Sequence, residues 1–126
     1  MDIVSHIIFA NALTGPNIYS TIGAVIPDLT MIKRKPYPDK YYLLMHSPIM
    51  SIVLFIINPY LGIGHFSHIF LDFFTHGKDF APRLFYPFSD YRITIFQEWE
   101  FFNKSFWIGL FIVLTAVAIR IGLTFL

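Results

Sequence analysis

Residues 47–77 read SPIMSIVLFIINPYLGIGHFSHIFLDFFTHG, and the fold turns on how this stretch divides. Asp72 is its only Asp, Glu, Lys or Arg. Ser47-Pro48 has the form of a helix N-cap followed by a first helical position, where proline's missing N–H is not needed. The helix that begins there ends near Asn58-Pro59, because the residue before a proline is pushed out of the α region. A second helix then runs from about Tyr60 to His76 and stops at Gly77. At ~1.5 Å per residue the arm from Pro48 to Ile57 is about 15 Å long, too short for the ~30 Å hydrocarbon core of a bilayer. The stretch therefore reads as a helical hairpin and not as one span.

The same division applies upstream. Residues 3–27 carry no Asp, Glu, Lys or Arg. Asp2 can cap a helix running to about Leu13, where Gly15-Pro16-Asn17 forces a turn, and a second helix follows from about Ile18 to Ile26. The segment lacks the basic start and the small-residue cleavage site of a secretory leader, with Asp2 where positive charge would stand, so it is read as mature protein. From Ser105 to Leu126 the only charged residue is Arg120. Twenty-two helical residues reach ~33 Å, enough to span, with Arg120 near the end where it can snorkel. Trp99 and Trp107 flank the start of this helix, where aromatic belts sit. Residues 77–104 show no clean strand alternation and read as a loop region with Pro82 and Pro87.

Composition agrees with a membrane setting. Hydrophobic residues make up 56% of the 126 and charged residues 13%, against ~25% charged in a typical soluble domain. Mean hydropathy is +0.61. A soluble chain of this size would need more charge to cover its surface. The net charge of +1 and the lack of a long basic patch give no reason to expect a nucleic-acid partner. The expected fold is all-α: a membrane-associated bundle of two short helical hairpins, with residues 1–104 as an embedded domain and residues 105–126 as a C-terminal transmembrane helix. Lys33, Arg34, Lys35 and Lys40 follow the first hairpin, and Lys78, Arg83, Arg92 and Lys104 follow the second. Hairpins put both clusters on one side, which the positive-inside bias makes cytoplasmic. The expected location is an integral membrane position, in the inner membrane if the source is bacterial.

Without cysteine there is no thiolate metal site, and any metal must be held by His, Asp or Glu. At ~100° per residue, His65, His68, Asp72 and His76 fall within about 80° on one face of their helix. His68 and Asp72 are i,i+4 neighbours able to share one ion, and imidazole with carboxylate is a ligand set zinc accepts. A polar stripe on an apolar helix is costly unless paired or coordinated. A simple His68–Asp72 hydrogen bond is the plainer alternative. His65 reads as a packing or supporting residue. His6, Asp28 and His46 lie where the hairpins open, so His6, Asp28, His46, His68, Asp72 and His76 can meet at one mouth as metal ligands, with Asp28 and Asp72 as the catalytic pair.

These residues carry a resemblance. The order His6, Pro27-Asp28-Leu29, His46-Ser47, Ser67-His68-x-x-x-Asp72-x-x-Thr75-x-Gly77 and Tyr86-Pro87-Phe88-Ser89 resembles the YdjM-like family of LexA-regulated, membrane-bound metal-dependent hydrolases, over about residues 1–92. More distantly the order is similar to the ligand order of zinc-dependent phospholipase C and its nuclease relatives. That likeness implies one ion on Asp28, His46, His68 and Asp72, and a second helped by His6 and His76 with Asp72 shared. It departs at Thr30, where an acidic residue is common, at Met45, and in lacking a late His-x-x-x-Glu pair, for which Glu98 or Glu100 could stand in. The implied function is hydrolysis of a phosphoester, such as a lipid headgroup, by metal-activated water with one or two divalent ions, zinc first among them. Membrane lipid is the implied partner. The rival expectation is a noncatalytic membrane protein whose metal site is structural or sensing, and a third is a metal-free helical scaffold. Tyr86-Pro87-Phe88-Ser89 is expected to tuck over the site with Phe88 as its anchor.

Overall fold

The computed structural model describes residues 1–30, 39–77, 80–92 and 102–126. Among these the chain is all-helical: α1 (Ile3–Thr14), α2 (Ile18–Leu29), α3 (Lys40–Met45), α4 (Pro48–Ile57), α5 (Pro59–Thr75) and α6 (Lys104–Thr124). Both hairpins form, α1 against α2 and α4 against α5, and α2 makes its most extensive contact with α5. Helix starts follow side-chain chemistry. Asp2, Asn17, Asp39, Asn58 and Asn103 each accept a backbone N–H from the first turn that follows, satisfying donors that a helix start otherwise leaves open. Ser47 occupies the N-cap position of α4 but does not cap it; its hydroxyl donates to the Leu44 carbonyl at 2.8 Å.

Two elements differ from the sequence reading. α2 continues through Pro27 to Leu29 instead of stopping at Ile26, which places Asp28 on helical backbone. α3 is an added turn-and-a-half of helix, begun by Asp39, whose carboxylate accepts from the Tyr42 amide at 2.8 Å.

α5 is the centre of the bundle. Glycines set its approach to the neighbours: a Cβ on Gly64 would fall on the Ser20 carbonyl oxygen, one on Gly23 on the Leu61 carbonyl oxygen, and one on Gly62 on the Phe55 backbone. Such small-residue crossings bring helices close enough for backbone to meet side chain. Phe9, Leu71 and Val113 form a core joining α1, α5 and α6, so α6 belongs to the same packed body. It is the one described helix long and apolar enough to cross a membrane, and only 11% of its most apolar window is buried. Lys33, Arg34, Lys35, Lys78, Trp99, Glu98 and Glu100 lie outside the described residues.

Candidate metal centre

Asp72 sits in the middle of the site, fully buried near the end of α5. Its two oxygens divide the neighbours. Oδ2 faces His68 Nε2 at 3.1 Å and His46 Nε2 at 3.7 Å. Oδ1 faces His76 Nε2 at 3.1 Å, His6 Nε2 at 3.4 Å and the Met1 ammonium at 3.8 Å. Asp28 enters from α2 with Oδ1 3.7 Å from His68 Nε2. The structure thus gathers His6, Asp28, His46, His68, Asp72 and His76 from α1, α2, the α3–α4 junction and α5 into one cluster. Two sets within it, His6/His68/Asp72 and Asp28/His46/His68, each offer ligand atoms within 4.8 Å of one another.

The tautomers follow from backbone contacts. His68 Nδ1 lies 2.7 Å from the Ala24 carbonyl oxygen, and His46 Nδ1 lies 3.0 Å from that of Tyr42. A carbonyl only accepts, so each Nδ1 carries the proton, and in the neutral ring the lone pair is at Nε2. Both lone pairs then aim at carboxylate oxygens, an arrangement that repels unless a metal ion or a further proton lies between them. His6 Nε2, His46 Nε2, His68 Nε2 and both Asp72 oxygens are buried without a hydrogen-bond partner, a heavy cost if nothing binds there. Ligand bonds of about 2.0–2.1 Å in a tetrahedral shell put ligand atoms about 3.3 Å apart. The His–carboxylate gaps of 3.1–3.7 Å bracket that spacing, and within each set no two ligand atoms are more than 4.8 Å apart. The buried His/Asp cluster can therefore hold a metal ion, and the donor set fits one.

The electrostatics agree. Burial pushes the His46 imidazole well below its ordinary range and the His6 imidazole down to about 4, so both rings stay neutral and able to ligate. Burial would lower His68 as well, but the Asp72 and Asp28 carboxylates outweigh it and raise its proton affinity. Positive charge is thus favoured at that spot. Burial alone would raise the Asp72 carboxyl, yet the facing His76 and His68 hold it well below the carboxylate range. Burial raises Asp28.

Access is narrow. The side chains of His6, His46, His68 and Asp72 are closed off, while Asp28 and His76 keep 15% and 14% of theirs exposed and mark the opening.

Two residues that orient the ligands lie outside the set expected from sequence. Tyr42 supplies the carbonyl for His46 Nδ1, stacks its ring on His46 at 3.8 Å, and donates its hydroxyl to the Phe80 carbonyl at 3.1 Å. Its signal was available: Asp39 as a cap, with Tyr42 four residues before His46. Ala24 on α2 plays the corresponding part for His68 and left no mark in the sequence, because only its backbone acts. The loop expectation needs correction. Phe88 is 86% exposed and does not anchor Tyr86-Pro87-Phe88-Ser89 over the site. Arg83 pairs with Asp90, and Arg83 bridges to Arg92 along the backbone, so the loop closes on itself with Phe88 outside.

His65 stands apart from the ligands. Its Nδ1 lies 2.8 Å from Ser51 Oγ, joining α5 to α4. His65→Ala should leave bound metal near the parent level while lowering stability by about 1–3 kcal/mol, the cost of orphaning a buried polar partner. Melting in detergent and elemental analysis of the same sample check both halves. Metal lost from His65→Ala but retained by His68→Ala would reverse the assignment of the helix face.

No protein-family model matches the chain, and no curated protein or solved structure is similar to it.

Proposed function

We propose that this is a membrane-bound, metal-dependent hydrolase acting on a phosphoester, with lipid headgroups as the substrate class. The observation that carries the reading is the pair of imidazoles, His46 and His68, whose protons are committed to backbone carbonyls and whose Nε2 atoms converge on Asp72. Asp28, His46, His68 and Asp72 Oδ2 would hold one divalent ion, and His6, His76 and Asp72 Oδ1 a second. Zinc suits nitrogen and carboxylate ligands without thiolate. A bound ion of this kind lowers the pKa of its water and steadies negative charge on the phosphoryl oxygens. Asp28, at the opening with 15% of its side chain exposed, would orient the attacking water as well as bind the ion. Tyr42 and Ala24 keep the two imidazoles from rotating, as hydrogen-bonded carbonyls behind histidine ligands do. This division of the ligands is the one implied by the more distant likeness to zinc-dependent phospholipase C and its nuclease relatives.

Position supports the lipid. Thr75 meets Gly109 of α6, where a Cβ would lie 3.2 Å from Thr75 Cγ2. Gly109 is five residues past Lys104, about 7 Å along the helix. If α6 spans, the site lies just below the bilayer surface at the Lys104 end, level with headgroups. The exposed flank of α6 favours a spanning helix over a soluble core helix, which would be buried. The near-complete burial of four ligands favours a second reading, a structural or sensing site. An ion with an exchangeable water distinguishes hydrolase from structural site.

Two measurements test the membrane part. The protein should stay in the pellet when membranes are washed with alkaline carbonate; release of the full-length chain removes the spanning helix. Single cysteines suit this Cys-free chain. Lys40→Cys and Ser89→Cys should label from one face and Thr124→Cys from the other, and opposite labelling of the first two would sink the hairpin topology. Chemistry is tested by elemental analysis of protein purified without chelator, alongside release of phosphorylated headgroup from mixed-lipid vesicles. A metal-free protein under those conditions overturns the hydrolase reading.

A further inference from the structure

At the opposite end of the bundle from Asp72, α1 and α6 enclose a groove of about 420 Å³, within the ~300–1,000 Å³ common for small-ligand sites. Leu13, Phe111, Thr115, Ile119 and Leu123 line it, with Arg120 beside them. Leu13, Phe111, Ile119 and Leu123 are all more than half exposed. Arg120 is the only charged residue between Ser105 and Leu126. No carboxylate among the described residues pairs with it.

The guanidinium is placed by the α1–α2 turn. A Cβ on Gly15 would lie 2.6 Å from Arg120 Nη2, and Gly15 has φ +79, a conformation that also favours glycine. The polar side chains of that turn are occupied with one another. Thr14 Oγ1 donates to Ser20 Oγ at 2.9 Å, Asn11 Nδ2 to Thr21 Oγ1 at 2.9 Å, and the Asn17 amide to Asn11 Oδ1 at 2.8 Å. The turn thus seats the guanidinium without consuming its donors. A cation fixed beside an apolar groove is complementary to a molecule with an acyl chain and an anionic head.

We infer that the α1–α6 groove is a binding site for one anionic phospholipid of the leaflet at the C-terminal end of α6, its acyl chain along Leu13, Phe111, Ile119 and Leu123 and its phosphate on Arg120. The inference rests on α6 spanning a bilayer and is independent of hydrolysis at Asp72. A long arginine at a helix end keeps its charge at the interface, where phosphates are, and its planar donors match phosphate oxygens.

The test is native mass spectrometry of the full chain from nanodiscs of phosphatidylcholine with increasing phosphatidylglycerol. The parent should retain one phosphatidylglycerol in preference to phosphatidylcholine by roughly fivefold, the effect of one cation at an anionic surface. Arg120→Gln should bring the preference to parity, and Arg120→Lys should keep part of it. Ala12→Phe fills the groove and leaves the charge, and should also lower retention. A parent without preference, or an Arg120→Gln chain that keeps it, overturns the inference. So does a disulfide between two Leu123→Cys chains at high dilution, which would put a second copy of α6 in the groove. Release of the chain by carbonate overturns it together with the membrane reading. The Asp72→Ala chain should retain the lipid like the parent, and its metal content reports separately on the hydrolase reading.

Discussion

If the centre acts as proposed, Asp72→Ala should leave the protein without bound metal and without hydrolase activity. This is the largest single effect expected of any substitution in the chain, because Asp72 is the one residue that faces all four imidazoles of the cluster, from 3.1 to 3.7 Å. Removing a hydrogen-bond partner behind a ligand costs about 10–100-fold in metal affinity or activity. Removing the carboxylate between the imidazoles should exceed that range. Asp72→Asn keeps the shape and removes the charge, and should show nearly the same loss. His76→Ala acts on the Oδ1 side and should leave part of the metal, while His6→Ala also removes the ring stacked on His68 at 3.8 Å and should lose more. His46→Ala and His68→Ala act on the Oδ2 side and should abolish turnover. Elemental analysis beside headgroup release gives both numbers from one preparation. Full metal content in Asp72→Ala would rule out a centre built on that residue.

The parts of this arrangement that sequence carried are those written in side-chain type and spacing. Gly15-Pro16-Asn17 and Asn58-Pro59 mark both hairpin turns, since proline and glycine restrict the backbone locally, whatever surrounds them. His68, Asp72 and His76 share a face by helical period alone. His6, Asp28 and His46 needed the hairpin geometry as well, and the resemblance. The end of α2 lies three residues beyond the expected Ile26, because the last turn continues through Pro27 to Leu29 although proline supplies no N–H there. Phe88 misled for another reason. An aromatic beside a proline suggests an anchor, but the ion pair from Arg83 to Asp90 closes the loop elsewhere, and that pairing is not visible from spacing. The carbonyls of Ala24 and Tyr42 were out of reach for a simpler reason: every residue has a carbonyl, and only tertiary position selects these two.

Gly64 illustrates the same limit and supplies the second large effect. In sequence it is one of two glycines in an apolar run, each expected to weaken its helix by up to ~1 kcal/mol against alanine. In the structure it is where α2 rests on α5, and a Cβ there would occupy the space of the Ser20 carbonyl oxygen. Gly64→Ala should therefore destabilise the protein despite its better helix propensity, by at least the ~1–3 kcal/mol typical of overpacking, since backbone must move. The movement has a chemical consequence. α2 carries Ala24, whose carbonyl holds His68 Nδ1 at 2.7 Å, and Asp28, whose Oδ1 faces His68 Nε2 at 3.7 Å. Pushing α2 outward frees the His68 ring and withdraws one carboxylate together. Metal content should fall with melting temperature, although Gly64 touches no ligand. Gly122→Ala is the control: it lies on α6 with nothing within 4 Å of an added Cβ, and it should melt no lower than the parent with full metal content. Equal melting temperature and metal content in the two variants would show that the α2–α5 crossing does not position the site.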